Sequence, residues 1–329
     1  VALENVPTDV LSDELVNLFM RATTRLELII EAGIRRGLDP ARVGTHNQKR
    51  GDMTVLYRQR QREQAIAILR DLRDRSREHS NRAIATTYRA TVTAVDATVG
   101  PDLNLARGFG IIHLRAVEAL ASNMTRSLHA AIETVGGNID DVFARADAIE
   151  SALRFDRPSP GPIPFIGRRI NDPYRRVALE TVAQGLVGLD TRGQVSAALV
   201  RNLIREGVTD AVTGFVDRAG RRWPLDVYAE MVARTTTREA TTRATVNRLR
   251  EGGLALVTVS HHEHKADECS KYDGKTFAMT AAAAAAENVP RLTELPPFHP
   301  RCRHVLTPAA GNLDAFEREL GLASRAQLA

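Results

Sequence analysis

Cysteine is scarce in this 329-residue chain: Cys269 and Cys302 are the only two, which excludes a disulfide framework as the source of its stability. No apolar run approaches the roughly 20 residues that span a bilayer. The first 20 residues also lack the basic-then-apolar order of a secretory signal. An intracellular protein with no membrane segment is expected, and the opening Val1 is expected to follow a removed methionine or a trimmed leader. Aromatic residues are only 5% of the chain, and lysine is nearly missing, four residues (Lys49, Lys265, Lys271, Lys275) against 41 arginines. A GC-rich genome gives that skew without functional pressure. Charge of one sign is not in excess either. With 45 basic and 40 acidic residues the net charge is +5, too small on this surface to imply nucleic-acid binding without a local patch.

What is present is ordinary globular material, 43% apolar and 26% charged, in a length that suits two domains of roughly 100–200 residues. From about residue 8 to 155 prolines and aromatics are few and apolar residues recur at steps of three and four, the period of a helix. The clearest stripe is Ile111, Leu114, Val117, Leu120, Met124, Leu128, Ile132, Val135, which Gly136-Gly137-Asn138 is expected to stop. A second runs through Ile66, Leu69, Leu72, Ile84, Tyr88, Val92 and Val95 and breaks at Gly100-Pro101. Between Arg58 and Arg82 the arginines alternate with Asp71, Asp74 and Glu78, which predicts a solvated, salt-bridged face rather than a phosphate-binding one. His46, His79, His113 and His129 stand singly and read as surface or core histidines.

Residues 156–173 hold five of the 14 prolines and read as a linker or strap. Val177–Leu186 and Val195–Val208 return to helical spacing. Two short strands around a glycine turn are expected between Ala211 and Leu225, then a long helix from Pro224 to Gly252-Gly253, then a strand in Leu254–Ser260. The fold class is therefore α+β: a long, mainly helical N-terminal region (1–155), the Pro-rich linker (156–173), helices plus a small α+β module (174–310), and a short C-terminal helix or tail (311–329).

The strongest chemical signal is a clustering. Five of nine histidines and both cysteines fall in the 44 residues from His261 to His304, where uniform scatter would put about one histidine. Thiolate and imidazole are the ligands zinc selects. Cys269, Cys302 and His304 are the first candidates for a closed structural site, with His262 or His299 as the fourth ligand. The same residues also read as a reduced, half-buried cysteine pair with surface histidines. A hydrolase using Cys269 or Cys302 as nucleophile, or a metal hydrolase using Glu263, Asp267 or Asp273, has the residue types but lacks a His-Glu-x-x-His or nucleophile-elbow motif.

The block from Phe215 through Trp223, Tyr228, Met231 and Arg234 to Ala240 resembles the phage minor capsid proteins. So do Val259-Ser-His-His-Glu-His264, Cys269 with Asp273-Gly-Lys275, and His299-Pro-Arg-Cys302-Arg-His304, in the order found in the carboxyl half of the Mu F-like head morphogenesis proteins. The resemblance covers about residues 210–308; where His299 stands the family often has asparagine. It implies a non-enzymatic minor capsid component of a tailed bacteriophage, made in the host cytoplasm and carried in the virion, in few copies, at or near the portal. The partners implied are the portal protein and the major capsid protein. Packaged double-stranded DNA is a further candidate partner, through Arg234, Arg238 and Thr235 to Thr237. Some relatives carry a toxin or transferase domain behind this module; here only a short helix, Leu313–Leu322, is expected after Pro308. The competing readings are a zinc-stabilised DNA-binding protein and a metal-dependent hydrolase.

Overall fold

The computed structural model describes residues 8–37, 48–99, 109–154, 214–216, 221–262, 268–300 and 302–309. The linker at 156–173, the helical stretches Val177–Leu186 and Val195–Val208, the helix Leu313–Leu322, and His46, Glu263, His264 and Asp267 lie outside them. In chain order the elements are α1 (Thr8–Gly37), α2 (Gln48–Val99), α3 (Ile111–Arg154), β1 (Gly214–Val216), β2 (Arg222–Pro224), α4 (Leu225–Glu251), β3 (Leu256–Val259), β4 (Thr276–Ala278), α5 (Ala281–Glu287) and β5 (Leu306–Pro308). Long helices come first and the three-stranded sheet last, as the periodicities predict. The described residues form two compact units, one drawing on Val16–Arg75 and Leu128–Tyr228, the other on residues up to Leu15, Ser76–Ser127 and Ala229 onward.

In the first unit α1 buries Phe19, Ala22, Leu26, Ile30 and Ile34, and α3 buries Leu128, Ile132, Val135, Ile139, Val142, Phe143 and Ala146. Steps of three and four place each set on one helix face. At Gly33 an added Cβ would stand 2.5 Å from Phe143 Cε1, so the missing side chain is what lets α1 and α3 meet there. Arg58 of α2, only 1% exposed, donates from Nε to the Gly33 carbonyl at 3.1 Å and pairs through Nη1 with Asp147. It is thus a core residue and departs from the solvated face expected of its segment. Its neighbours keep to that face: Arg62 meets Asp140 at 2.6 Å, Arg73 meets Glu133 at 3.3 Å and Arg75 meets Asp71 at 3.4 Å. β1 and β2 form the expected antiparallel hairpin, with Phe215 opposite Trp223. Asn138 ties it down by donating to the Gly214 carbonyl at 3.0 Å.

Two expectations for α3 fail. Gly136-Gly137-Asn138 does not end the helix, which runs on to Arg154. A helical glycine costs about 1 kcal/mol but keeps its backbone hydrogen bonds, and burial of Ile139, Val142, Phe143 and Ala146 outweighs two of them. The stripe also begins late: Ile111 is 68% and Leu114 54% exposed. The inward position of that first turn, one heptad before Leu120, is held by His113, which is fully buried.

His113 belongs to a polar chain in the second unit. The Asn247 amide donates to the Tyr88 hydroxyl at 2.8 Å, that hydroxyl lies 3.1 Å from His113 Nδ1, and His113 Nε2 lies 2.9 Å from Glu251. Only one proton order satisfies every member, with Tyr88 donating to Nδ1 and Nε2–H donating to Glu251. Arg248, 4% exposed, spans Glu251 at 2.9 Å and Asp96 through Nε and Nη2. Burial pushes the Glu251 carboxyl up, but hydrogen bonds from His113 and Arg248 and their charges outweigh it and leave it below its usual value. His79 is buried beside Glu14, and His129 bonds to the Arg73 carbonyl, so these three histidines are structural.

α4 ends as its sequence predicts. Gly253 takes φ +72°, the Leu254 N–H reaches the Leu249 carbonyl at 2.9 Å and the Gly253 N–H reaches that of Arg250 at 3.1 Å, the paired bonds of a Schellman cap. The turned chain enters β3, the middle strand of an antiparallel sheet of order β4-β3-β5. Val257 and Val259 face a core shared with Val95 and Val99 of α2, Val246 and Leu249 of α4, and Tyr272, Phe277 and Leu306. Leu256 points the other way, to Ala278, Ala309 and the alanines of α5.

Substitutions test the helix geometry. A Cβ added at Gly137 would have no heavy atom within 4 Å, so Gly137→Ala should raise stability by about 0.5–1 kcal/mol in urea unfolding; a loss would mean that the helix stops there after all. Gly33→Ala should cost about 1–3 kcal/mol by overpacking against Phe143.

Alkaline titration tests the polar chain. Burial pushes the Tyr88 phenol up to about 12 from its ordinary 10.0. The fold therefore prefers the neutral phenol. Above pH ~10 the unfolded chain ionises there first, and stability should fall by about 2–3 kcal/mol as pH climbs toward 12. In Tyr88→Phe, unfolding curves should lose that part of the slope.

Candidate metal centre

The sheet gathers the cluster. Because β3 runs antiparallel to both neighbours, with Thr258 opposite both Thr276 and Thr307, the end of β3 and the starts of β4 and β5 share one end of the sheet. His261 and His262 follow β3, Cys269 and Asp273 sit in the turn before β4, and His299, Cys302 and His304 lie on the approach to β5. Bonds from Ser260 N to the Val305 carbonyl and from Val305 N to Ser260 Oγ, both 3.0 Å, hold these segments together.

The two cysteines are free thiols, 2% and 4% exposed, and His304 is 2% exposed. Cys269 Sγ, Cys302 Sγ and a His304 ring nitrogen lie within 4.8 Å of one another. Zinc bonds of about 2.3 Å to sulfur and 2.0 Å to nitrogen imply tetrahedron edges of about 3.3–3.8 Å, so the group needs to contract by about 1.5 Å at most. Two thiolates and neutral imidazoles around a divalent ion also give no net charge, which suits a buried site.

Each of two histidines is oriented by its outer nitrogen. His304 Nε2 is 2.8 Å from Asp273 Oδ1, which leaves Nδ1 facing Cys302 Sγ at 3.5 Å. His299 Nδ1 donates to the Pro300 carbonyl at 2.9 Å, which leaves Nε2 facing Cys269 Sγ at 3.3 Å. Metal-binding histidines characteristically have such an outer partner, a carboxylate or a carbonyl. His262 is differently engaged: its Nε2 lies 3.0 Å from Ser260 Oγ and 3.1 Å from the Arg303 carbonyl, with its ring edge-on to His304.

Asp273 is the residue whose role the spacing did not reveal. One oxygen accepts from the His262 backbone N–H at 2.9 Å as well as from His304, and the other meets His261 Nδ1. Burial pushes this carboxyl up, but the bonds from His262, His304 and His261 outweigh it and hold it well below the usual carboxylate range. The available signal was Asp273-Gly274, a turn pair in which Gly274 takes φ +66°. Phe298 stacks on Tyr272 at 4.1 Å and turns its edge to His304 at 6.0 Å, giving the site an aromatic wall.

Removing an outer partner should weaken a metal without removing a ligand. Asp273→Asn is expected to lower zinc affinity about 10–100-fold, and Cys302→Ser to lower bound zinc and thermal stability together. His299→Ala should reduce affinity more than His262→Ala, as read by competition with a chromogenic chelator. Equal affinity in all four variants and the parent would remove the metal from this site.

No curated protein and no solved structure matches the chain. The family described as phage minor capsid protein 2 matches residues 7–313, taking in the helical region as well as the module on which the resemblance to phage minor capsid proteins rests. With nearly its whole length matched, the chain belongs to the phage minor capsid protein 2 family.

Proposed function

We propose that the protein is a non-enzymatic structural component of a tailed-phage head, incorporated in few copies at or near the portal during assembly, where the portal and major capsid proteins are its partners. The family match over residues 7–313 carries this reading. Its C-terminal module is closed by a structural zinc ion on Cys269, Cys302, His304 through Nδ1 and His299 through Nε2. His262 braces the loops behind them.

The burial of the cluster favours structure over catalysis. Cys302, His304 and Asp273 follow one another as a nucleophile, a base and an orienting carboxylate would, but the sulfur and the ring are only 4% and 2% exposed. Four protein ligands also leave a metal no open position. The Thr-Arg stretch of α4 offers little to DNA phosphates. Thr236, Thr237, Thr241 and Thr245 spend their hydroxyl protons on carbonyls four residues back, at 2.8–3.2 Å, and Arg234 pairs with Glu230 at 3.2 Å.

Quantitative mass spectrometry of purified mature particles tests the proposal. The expected result is this chain at a low, fixed ratio to the portal protein. Its absence from particles would overturn the reading and bring the zinc-stabilised DNA-binding and hydrolase alternatives forward, the former marked by an affinity that falls steeply with salt.

A further inference from the structure

From the placement of the two sulfurs we propose that Cys269 and Cys302 are an oxidisable pair, in which an intramolecular disulfide replaces the metal when the protein leaves a reducing compartment. This rests on the structural-metal reading of the same cluster. The chain contains no other cysteine, so an oxidised thiol has a single partner within it. The sulfurs lie within 4.8 Å of each other. Both belong to turns rather than to strand interiors: the Tyr272 N–H closes one on the Cys269 carbonyl at 2.9 Å and the Cys302 N–H closes the other on that of His299 at 3.0 Å. Side-chain rotation within these turns can bring the sulfurs to the roughly 2.05 Å of a disulfide.

Each sulfur also faces an imidazole nitrogen, His299 Nε2 at 3.3 Å and His304 Nδ1 at 3.5 Å. Access is uneven. His304 is buried, whereas His299, whose Nε2 faces Cys269 Sγ, is half-buried and Pro300 beside it is exposed.

The oxidant is hydrogen peroxide. The Cys269 thiolate attacks one peroxide oxygen, the O–O bond breaks, and a sulfenic acid and hydroxide form, the hydroxide taking a proton from solvent to leave as water. The Cys302 thiolate then attacks that sulfur, the S–O bond breaks, and the departing hydroxide takes a second solvent proton to leave as water. Two thiols have lost two electrons and peroxide has gained them. A bound divalent ion loses both sulfur ligands and departs. The cross-link between the two turns thereby persists in reducing cytoplasm as metal–thiolate and outside it as a disulfide.

The test uses the full chain, purified reduced and loaded with zinc, then treated with hydrogen peroxide. Both thiols should be lost together, with a peptide-mapped Cys269–Cys302 link, a monomer on a non-reducing gel, zinc released in step with thiol loss, and full reversal by dithiothreitol. Excess zinc should slow the reaction several-fold. Intermolecular dimers, sulfinic or sulfonic acids without the link, or thiols that stay reduced would each overturn the proposal. The two readings fail separately: a chain that holds zinc but never forms the link retains its metal site and loses the redox pair, and one that forms the link but never bound zinc does the reverse.

Discussion

A carboxylate taken out of water must be given hydrogen bonds, and the C-terminal module is arranged around how Asp273 gets them. Its two oxygens accept from His262 N, His304 and His261, groups from the segment that leaves β3 and the segment that enters β5. An ionised carboxylate bonded this way is stable only if all those segments keep their places. The turn that presents it also carries Cys269, and the ring it orients carries the nitrogen facing Cys302. One side chain therefore sets the positions of loops that the short strands alone would leave free, and it does so whether or not an ion is present.

The sheet is in turn fixed by the end of α4. Arg248 and Glu251 lie in that helix's last turn, and they bond to Asp96 of α2 and His113 of α3. A helix C-terminus favours a cation, which Arg248 supplies, while Glu251 there is tolerated because His113 and Arg248 both face it. Breaking such a chain at any member leaves a buried partner unsatisfied, so the chain acts as one unit. Directly after it the Schellman cap turns Leu254 back onto Leu249 and aims the backbone into β3. The polar chain thus sets where β3 begins, and β3 sets where His262 and Asp273 meet.

Much of this was legible in the sequence because it depends on local rules. Gly252-Gly253 marked the end of α4, the β-branched run Val257-Thr-Val marked β3, and two short runs around a glycine, one with Phe215 and one with Trp223, marked the hairpin. The clustering of Cys269, Cys302, His299 and His304 is a sequence property that the fold turned into proximity. What escaped depended on distant partners. Gly136-Gly137 looks like a stop because helix propensity is local, whereas the burial of Ile139 and Phe143 that carries the helix past it is tertiary. His113 looked incidental because Tyr88, Asn247 and Glu251, which make a buried histidine tolerable, are far from it in sequence. Arg58 looked solvated among its charged neighbours until Gly33 and Asp147 enclosed it.

Strand length explains why side-chain chemistry carries so much here. β3 has four residues and β4 and β5 three each, so the ladder supplies few hydrogen bonds, and the core on the helical side of the sheet holds Tyr272 and Phe277 as its buried aromatics. A cross-link at the loop end of so short-stranded a sheet adds to what the ladder supplies. Disulfides are the usual answer where oxidation permits and metal–thiolate sites where it does not. The cluster at the end of the sheet has the residues for either, and both would join the same two turns. That position is where a cross-link does most, since it closes the long connection from Cys269 to Cys302 that β4 and α5 occupy, while the opposite end of β3 is already held by the cap of α4.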